Sequence, residues 1–584
     1  MVEKHMVRNG EVDIAVFEQG NAAGPTVLLL HGWPDSHHLW NNIVPELTDR
    51  FRVLSVDNRG HGESSNPPGT KAISVQNFAS DYVAVIEALG NGEPVHVLAH
   101  DWGSIAMWEV ITRPDAQRLV ASFTSVSGPS LAHTASWARS RLARPTPRNI
   151  ALPLAQLGSF AYSGVFSLPV LPKAVIAATM SEERWRSWLS RAEGAAPEQI
   201  HLAPTFTEDM ASGLRIYRTT LASNPLRSRE QHSSVPVQII IGSRDPAVRQ
   251  SSYADEDHWV DRVWLRVVKG GHWLPFSHPR LLASAAVELI DTVAGRAPSR
   301  TLRRTRMGVP RKPFEDQLVV ISGGGSGIGR ESALAFAREG ADIVVSDIDI
   351  TAAEATVALI SQAGGRGYAY ELDVSDEAAV HKHAEGVIAE HGVPDVLINN
   401  AGIGQVGRFL DTSTEDFHRV LNVNLNGVVY GCRAFAGHMV ERGLGGHIVN
   451  LSSMAGYTPQ QGFSAYSTSK AAVFMFSDCL RAELAEHSIG VSTICPGIVH
   501  TNIVRNTRMS GVSPEEEASR QERYDRLYQL RGYGPDKVAR QIVRAVQQDR
   551  QVVPVTPEAR FQYVFGRIAP GLVRFAAARG SLIR

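Results

Sequence analysis

An aspartate follows the apolar run VHVLAH (95–100), where a predicted strand passes into a predicted helix. This residue, Asp101, has small residues on either side at Ala99 and Gly103, which leave room for a sharp turn around a strained side chain. An aspartate at a helix start also commonly serves as an N-cap. A carboxylate on such a turn can instead act as a nucleophile, and its partners decide between these two interpretations.

Three further segments supply partners in a fixed order along the chain. The turn HGWP (31–34) follows the strand TVLLL, Asp245 ends the strand VQIIIGSRD, and His272 follows the strand VWLRVV. The order nucleophile, acid, histidine resembles that of the α/β-hydrolase superfamily. The resemblance implies that the backbone N–H groups of Trp33 and Trp102 form an oxyanion hole, with a cis bond before the proline.

The choice of aspartate determines the reaction class. A carboxylate is suited to displacing a leaving group at an sp³ carbon, which gives an alkyl ester on Asp101. His272, oriented by Asp245, would then take a proton from water so that water hydrolyses the ester. Within the superfamily this chemistry is typical of epoxide hydrolases and haloalkane dehalogenases.

The segment from about residue 131 to about residue 230 separates two predicted strands where α/β-hydrolases insert a helical cap. Tyr162 and Tyr217 lie in this cap in contexts that resemble the two lid tyrosines of epoxide hydrolases, whose phenols protonate the leaving oxygen. We therefore expect an epoxide hydrolase. A haloalkane dehalogenase is the alternative: Trp33 replaces the halide-binding asparagine of many dehalogenases, but other tryptophans keep it open, namely Trp102, Trp137, Trp185 and Trp188.

A glycine-rich loop follows the strand LVVI (318–321) and opens a predicted helix. Its residues are Ser322, Gly323, Gly324, Gly325, Ser326, Gly327, Ile328 and Gly329. Such a loop lets backbone N–H groups at a helix N-terminus approach a pyrophosphate, although glycines also occur in ordinary turns. Asp347 ends the next strand, where a carboxylate can accept hydrogen bonds from the adenosine ribose and repel the 2′-phosphate of NADP. We expect NAD as the cofactor, with NADP as the alternative and Arg330 as its one candidate phosphate partner.

Tyr466 and Lys470 are four residues apart, so they share one helix face, where the ammonium would lower the pKa of the phenol. Ser453 precedes Tyr466 by thirteen positions, and Asn424 lies in the segment VNLNG. These four residues at this spacing resemble the catalytic tetrad of short-chain dehydrogenases. The resemblance implies that Tyr466 moves the proton, Ser453 holds the substrate oxygen and Asn424 supports a water relay.

The resemblance covers about residues 314 to 557 and implies further cofactor contacts. These are Asp373 near the adenine; Asn400, Ala401 and Gly402 beside the central sheet; and Pro496, Gly497, Val499 and Thr501, which clamp the nicotinamide carboxamide.

Two series of buried-strand candidates alternate with helical stretches, so the fold class is α/β. We expect an N-terminal α/β-hydrolase fold with its helical cap over residues 1–295. A basic, proline-containing stretch at 296–313 predicts a solvated linker. Residues 314–584 are expected to form a Rossmann-type, doubly wound parallel sheet with a C-terminal amphipathic segment.

The composition suits globular domains: of 584 residues, 43% are hydrophobic and 20% charged. A formal net charge of −1 gives no overall reason to expect nucleic acid as a partner. Three cysteines without CxxC spacing predict neither disulfides nor a metal site. With no apolar stretch long enough for a membrane helix, we expect a cytoplasmic enzyme.

Arg560, Arg567 and Arg574 are seven residues apart in a C-terminal stretch that also carries apolar side chains. This pattern is compatible with peripheral contact to an anionic membrane, or with packing in the homo-oligomer that we expect for the dehydrogenase.

The whole chain resembles the two-domain fusions of an epoxide hydrolase and a short-chain dehydrogenase found in mycobacteria and related actinobacteria. That resemblance implies a bifunctional enzyme acting on hydrophobic or lipid epoxides and on alcohols or ketones. The alternative is that one domain serves only as a binding or oligomerisation module.

Overall fold

The computed structural model describes residues 2–168, 180–223, 231–501, 503 and 506–579. The chain divides into two compact units, Met1–Val309 and Pro310–Arg584. Each unit has its own sheet and its own hydrophobic core.

The first unit is built on an eight-stranded sheet in the order β1-β2-β4-β3-β5-β6-β7-β8. The strands are β1 (Glu3–Asn9), β2 (Val12–Gly20), β3 (Thr26–Leu30), β4 (Arg52–Val56), β5 (Val95–His100), β6 (Val120–Val126), β7 (Val237–Gly242) and β8 (Val263–Val268). β1 and β2 pair antiparallel, as do β2 and β4, and the other neighbours are parallel. The central strands are apolar over their whole length because both faces of a parallel sheet are covered by helices.

Helices of the first unit surround this sheet and form the cap. They are α1 (Val75–Leu89), α2 (Asp101–Ile111), α3 (Ala116–Leu119), α4 (Leu131–Leu142), α5 (Pro147–Ser159), α6 (Ala161–Phe166), α7 (Glu182–Glu193), α8 (Phe206–Gly213), α9 (Arg215–Ala222), α10 (Leu274–Ser277), α11 (Pro279–Val293) and α12 (Arg300–Thr305). Helices α4 to α9 lie within the segment predicted to be the cap, of which 169–179 and 224–230 fall outside the described residues.

The segment predicted to be a solvated linker, 296–313, differs from that expectation. Residues 300–305 form helix α12, and Leu302 is fully buried against Trp264 and Leu289 of the first unit. Arg306 pairs with Trp264 in an isolated β-bridge and lies over its indole ring. This basic stretch therefore packs on the first unit, and the boundary between the units falls at Val309 and Pro310.

The second unit has a seven-stranded sheet, entirely parallel, in the order β11-β10-β9-β12-β14-β15-β17. Its strands are β9 (Leu318–Ser322), β10 (Asp342–Asp347), β11 (Arg366–Glu371), β12 (Val396–Asn399), β14 (Gly446–Leu451), β15 (Ile489–Cys495) and β17 (Val552–Pro554); β13 (Gln405–Val406) and β16 (Arg508–Met509) form a separate pair. The order runs outward in both directions from β9, which is the doubly wound arrangement with a switch point beside the first strand.

Helices cover both faces of this sheet. They are α13 (Gly327–Arg338), α14 (Ile350–Gln362), α15 (Glu377–His391), α16 (Thr414–Leu421), α17 (Gly427–Arg442), α18 (Ser464–Leu484), α19 (Pro514–Arg531), α20 (Pro535–Gln547), α21 (Pro557–Ile568) and α22 (Pro570–Arg579). Among the described residues, no helix is both long and apolar enough to cross a bilayer.

Candidate active sites

The candidate nucleophile of the first unit stands on a strained turn between β5 and α2. Asp101 has a φ of +48°, a left-handed conformation that costs energy for any residue other than glycine. The backbone crossing is tight, because a Cβ at Gly103 would collide with the carbonyl oxygens of Leu30 and His31. Likewise, a Cβ at Gly32 would collide with the Asp101 side chain. The two glycines therefore allow the carboxylate to project above the strand ends.

The candidate acid and base follow the neighbouring strands. The imidazole Nδ1 of His272, after β8, donates to Asp245 Oδ2 at 2.9 Å, and Asp245 follows β7. The backbone N–H groups of Ala247 and Val248 donate to the other carboxylate oxygen at 2.8 and 3.0 Å. The His272 Nε2 lies 3.7 Å from Asp101 Oδ1. The histidine is thus oriented by one aspartate and directed toward the other.

The predicted oxyanion hole has one observed contact. The Trp33 N–H donates to Asp101 Oδ2 at 2.9 Å, and the bond between Trp33 and Pro34 is cis. Trp102 is the second residue of α2, where backbone N–H groups have no acceptor within their own helix. Trp33 thus donates to the Asp101 carboxylate, and Trp102 offers a further backbone N–H on the residue that follows Asp101.

Charge pairing controls the protonation of this cluster. Burial alone would lower the pKa of His272, but the negative charges of Asp245 and Asp101 and their hydrogen bonds raise it well above its ordinary value. Burial would raise the pKa of Asp245, but the positive charge of His272 and the backbone donors hold it below its ordinary value. The cluster therefore favours an ionised Asp245 beside a histidine that readily holds a proton.

A cavity of about 470 Å³ opens above Asp101 and His272. Both predicted lid tyrosines line it, Tyr162 from α6 and Tyr217 from α9, with ring centroids 6.0 Å apart. The Tyr217 ring also contacts the rings of Trp33 and Trp102 at 5.6 and 5.1 Å. Burial is the main cause that raises the pKa of both phenols, so both are neutral proton donors at physiological pH.

The tryptophans that kept the dehalogenase alternative open differ in their position relative to the cavity. Trp185 and Trp188 line the cavity, whereas Trp137 is buried in α4 and is not part of its lining. The Trp33 indole N–H donates to the carbonyl oxygen of Met210 at 2.9 Å. In the part of the chain that the structure describes, the buried Trp185 indole N–H has no hydrogen-bond partner.

A buried glutamate of the cap, Glu193, contacts the backbone that carries the histidine. Its carboxylate accepts hydrogen bonds from the N–H of Gly271 at 3.1 Å and from that of His272 at 2.9 Å. A Cβ at Gly271 would collide with this carboxylate, so the glycine is required for the approach. The motif analysis missed Glu193 because it lies 79 residues before His272 and belongs to no motif. Glu193 is recognised as a candidate functional residue only in the structure, where it is a buried charged side chain.

Asp35 is a second residue that the motif analysis missed. It is buried, and one of its oxygens accepts a hydrogen bond from the Trp273 indole N–H at 3.0 Å. Burial raises the pKa of Asp35 to about 7. Trp273 in turn packs its ring against His272, with centroids 4.9 Å apart. Asp35 directly follows the HGWP turn in the sequence, and this position is the signal from which it could have been predicted.

The glycine-rich loop of the second unit forms a compact turn before α13. Gly323 and Gly327 have φ values of +63° and +53°, which favour glycine. A Cβ at Gly329 would collide with the carbonyl oxygen of Gly323. The Asn400 side chain donates to the carbonyl oxygens of Ser322 and Gly323 at 3.1 and 2.8 Å. Ser326 precedes the first turn of α13 and Ile328 is its second residue.

Asp347 lies at the end of β10, beside this loop. Its carboxylate accepts hydrogen bonds from the N–H of Gly325 at 2.8 Å and of Asp349 at 3.1 Å. Arg330, the candidate phosphate partner, donates instead to the Gly325 carbonyl oxygen and to Thr356 Oγ1. The Asp347 carboxylate and the Arg330 guanidinium are thus both hydrogen-bonded to backbone groups of the loop.

Tyr466 and Lys470 occupy one face of α18, with the Lys470 Nζ 5.9 Å from the centre of the Tyr466 ring. The Nζ donates to the Leu451 carbonyl oxygen at 2.8 Å. The expectation that Lys470 lowers the pKa of Tyr466 is wrong for this structure. Burial raises the pKa of Tyr466 to about 12 against an opposing hydrogen bond with Ser453, and burial lowers the pKa of Lys470 to about 8. Desolvation is the largest cause of both shifts; Lys470 is buried and Tyr466 is partly buried.

The other two members of the predicted tetrad are held by backbone groups. Ser453 follows β14, and its Oγ accepts from the Ala455 N–H at 3.2 Å. Asn424 is fully buried in a π-helical turn, Asn422–Asn426, that precedes α17. Its amide exchanges two hydrogen bonds with the backbone of Ile403 and donates to Ser469 Oγ at 3.1 Å. Single π-turns of this kind are frequent at functional sites.

The remaining predicted cofactor residues lie around the same strand ends. Gly402 is close to Asn424 and Lys470, and a Cβ at Gly327 would contact Thr501. The backbone at Gly497 and Ile498 is fixed by Glu558, which accepts from the Ile498 N–H at 3.0 Å. Asp373 accepts hydrogen bonds from Ser375 in a local turn. Ala401, Pro496 and Val499 follow the ends of β12 and β15.

Comparison with known proteins assigns both units. The family model of the alpha/beta hydrolase fold matches residues 25–279, and that of the short chain dehydrogenases matches residues 317–511. "Probable oxidoreductase EphD" of Mycobacterium tuberculosis (strain ATCC 25618 / H37Rv) is 49% identical over 574 residues, which cover 97% of this chain and 96% of that protein. The chain belongs to this two-domain family.

Other relatives match only the second unit of this chain. "C alpha-dehydrogenase" of Sphingobium sp. (strain NBRC 103272 / SYK-6) is 33% identical over 275 residues, 44% of this chain and 88% of that protein. A crystal structure of a short chain dehydrogenase/reductase from Burkholderia phymatum in complex with NAD is 28% identical, covering 44% of this chain and 95% of that one, with a TM-score of 0.42. The two family models and the full-length relative identify the chain as an enzyme that joins an α/β-hydrolase-fold domain to a short-chain dehydrogenase domain.

Proposed function

We propose that the first domain hydrolyses epoxides to vicinal diols through an alkyl ester on Asp101. The observation that carries this proposal is the pairing of Asp101 with two phenols, Tyr162 and Tyr217, in one largely apolar cavity. A carboxylate oxygen attacks an epoxide carbon as the carbon–oxygen bond breaks, and the leaving alkoxide takes a proton from a phenol. Without such a donor the alkoxide would be a poor leaving group.

Hydrolysis of the ester uses the remaining groups of the site. His272 takes a proton from water, the hydroxide adds to the ester carbonyl, and the N–H groups of Trp33 and Trp102 stabilise the oxyanion. Collapse of this intermediate breaks the ester bond, restores the Asp101 carboxylate and releases the diol, whose oxygen takes the proton from His272. Esterification removes the negative charge of Asp101, which is one cause of the raised pKa of His272. The same step therefore lowers the pKa of His272, so that a neutral imidazole is available to accept a proton when a base is needed.

The second domain is proposed to oxidise an alcohol or reduce a ketone with NAD. When bound, the cofactor would accept a hydride from the alcohol as NAD⁺ or supply one to the ketone as NADH. Ser453 would hold the substrate oxygen, Tyr466 would move its proton, and Lys470 would orient the ribose. Asp347 would accept hydrogen bonds from the adenosine ribose. The apolar walls of the first cavity favour hydrophobic substrates, and a diol from the first domain is an alcohol of the type that the second could oxidise.

Halide displacement is the second candidate for the first domain. The unpartnered indole N–H of Trp185 at the cavity wall favours it, whereas the Trp33 indole is already bonded to Met210. Diol release from epoxides and halide release from haloalkanes, measured on the same preparation, distinguish the two. Faster chloride or bromide release would make the dehalogenase the better assignment.

The decisive variant for the first domain is Asp101→Asn. An amide is a poor nucleophile, so diol formation is expected to be abolished, while NAD-dependent turnover in the same protein stays unchanged and reports that the chain is folded. Mass spectrometry must show that the asparagine has not deamidated. Unchanged diol formation by such a preparation would refute the proposed nucleophile.

Cofactor choice is tested at Asp347. Titration of NADH and NADPH into wild type should show tighter NADH binding, and Asp347→Ala should reduce the preference by roughly tenfold or more because the like-charge repulsion is gone. Tighter NADPH binding by wild type, or an unchanged ratio in the variant, would contradict the NAD assignment.

A further inference from the structure

The last two helices of the chain expose large apolar side chains. In α21, Phe561, Val564 and Ile568 are 64%, 56% and 76% exposed, and in α22 Leu572 and Phe575 are 61% and 55% exposed. Positions 561, 564 and 568 share one side of a helix. Surface hydrophobic residues are usually scattered singly, so five in two successive helices mark an interaction surface.

The other side of these helices is fixed to the dehydrogenase domain. The Tyr563 ring packs edge-on against Tyr457 at 5.4 Å, and the Tyr457 hydroxyl donates to the Ala559 carbonyl oxygen at 2.9 Å. The Gln461 side chain donates to the Ala578 carbonyl oxygen at 2.9 Å. The helices are therefore docked through one face, and their apolar side chains point away from it.

The charge of the same helices is mainly positive, and their one acidic residue, Glu558 in the first turn of α21, is paired with Arg531. Residues 559–579 contain four arginines, at 560, 567, 574 and 579, and neither aspartate nor glutamate. Among the described residues, none of these four lies within ion-pair distance of a carboxylate. Arg567 and Arg579 lie over the rings of Tyr563 and Phe575 at 3.6 and 4.0 Å.

We propose that α21 and α22 form a docking surface for an anionic lipid bilayer. Apolar side chains flanked by arginines bind at the boundary between headgroups and acyl chains, and anionic headgroups supply the negative charge that this segment lacks. A second copy of the chain covers the face less well, because twofold pairing of the same surface would bring the two sets of arginines together.

The position of the surface relates it to catalysis. The loop that anchors both helices, Tyr457 to Gln461, lies in the chain between Ser453 and Tyr466, and α21 also contacts the 3-10 turn Met454–Gly456. A bilayer bound to α21 and α22 would therefore lie beside the substrate end of the dehydrogenase site. An apolar alcohol or ketone dissolved in that bilayer could enter without crossing water.

Co-sedimentation of the full-length protein with vesicles tests the proposal. Wild type should bind vesicles that contain phosphatidylglycerol, bind phosphatidylcholine vesicles much less, and be released as ionic strength rises. The variant Phe561→Ser/Ile568→Ser/Leu572→Ser should lose binding. Arg567→Glu/Arg574→Glu should weaken it at least about tenfold.

A matched control reverses two exposed arginines outside these helices, Arg113→Glu/Arg338→Glu, and should bind as wild type does. Circular dichroism and melting temperature show that each variant is folded. The proposal is overturned if wild type does not bind anionic vesicles, if the serine variant binds them equally, or if the control loses as much binding as Arg567→Glu/Arg574→Glu. It is also overturned if the serine variant changes only the molecular mass in light scattering, since the face would then join copies of the chain.

Discussion

The two candidate sites of this chain hold their reactive groups in different ways. In the hydrolase domain, Asp245 bonds directly to His272, and His272 faces Asp101 at 3.7 Å. In the dehydrogenase domain, the contacts of Lys470 and Ser453 are largely with backbone groups of neighbouring strand ends. Both sites lie at the carboxyl ends of parallel strands, so the fold alone does not explain the difference.

The pKa shifts of the reactive groups also differ between the two sites. Paired charges raise the pKa of His272 and lower that of Asp245, whereas burial dominates at Tyr466 and Lys470 and drives both toward their neutral forms. A site that makes a covalent ester needs nucleophile, acid and base aligned with one another. A site that positions a substrate oxygen near a cofactor needs each group fixed in the protein frame. The three predictions that follow test this contrast.

Tyrosine-to-phenylalanine changes should give the largest effect and separate the two sites. Tyr466 is the one proposed proton donor of its site, so Tyr466→Phe should lower NAD-dependent turnover roughly 10²- to 10⁴-fold. Tyr162 and Tyr217 share the role, so each single change should slow epoxide opening roughly ten- to hundredfold, and the double change should nearly remove it. Steady-state rates of both reactions, measured in every variant, provide the test.

Each variant also serves as the control for the other domain, because it should leave the second reaction at the wild-type rate. Full epoxide opening by the Tyr162→Phe/Tyr217→Phe protein would show that the cap phenols are not the donors. The proposed contrast between shared and single donors would then fail.

Glu193→Gln should affect the hydrolase domain through the backbone of its histidine. A glutamine has one acceptor oxygen for two N–H groups and would turn an NH₂ group toward one of them. The free energy of unfolding of this domain should fall by about 1–3 kcal/mol, and epoxide turnover should fall with little change in KM. Glu183→Gln, an exposed change in the same helix, is the matched control. Equal stability and turnover in both variants would mean that the cap carboxylate does not support His272.

Lys470→Met should change the free energy of unfolding in the opposite direction to Glu193→Gln. The folded-state pKa of Lys470 is about 8, below its ordinary value, so at pH 7 the folded protein bears the cost of a buried charge. Replacing it should abolish NAD-dependent turnover and raise the free energy of unfolding by roughly 1–3 kcal/mol. Wild type gains stability as pH rises from about 8 toward the ordinary lysine pKa, because the unfolded chain then binds more protons. The difference in free energy of unfolding between Lys470→Met and wild type, measured by denaturant titration, should therefore decrease over that pH range. A difference that stays constant would contradict burial of the charged lysine as its cause.

Much of the fold followed from the sequence because buried parallel strands are short, continuous apolar runs. The α/β class of both units and the family of each were predicted, and both are confirmed. The motif residues Asp101, Asp245 and His272 come together because each directly follows such a strand, and chain order is enough to locate strand ends. Tyr162 and Tyr217 needed the family resemblance, since nothing in a cap segment shows which face points inward.

Features that depend on contacts between distant segments were not predictable. Glu193 meets His272 only after the cap has packed on the sheet. In the helix Arg300–Thr305, Leu302 packs against Trp264 of a distant strand. The arginines around Leu302 in the sequence predict a solvated segment instead. The pKa of Tyr466 was misjudged because helix spacing shows the neighbouring charge but not the depth of burial.

The most direct test of the central claim is a single turnover of an epoxide in ¹⁸O-water. If Asp101 forms an alkyl ester, water attacks its carboxyl carbon, so mass spectrometry should find ¹⁸O in the peptide that contains Asp101 and none in the first diol released. Label in the diol with none in Asp101 would mean that water attacks the epoxide directly, and it would contradict the covalent mechanism proposed for the hydrolase domain.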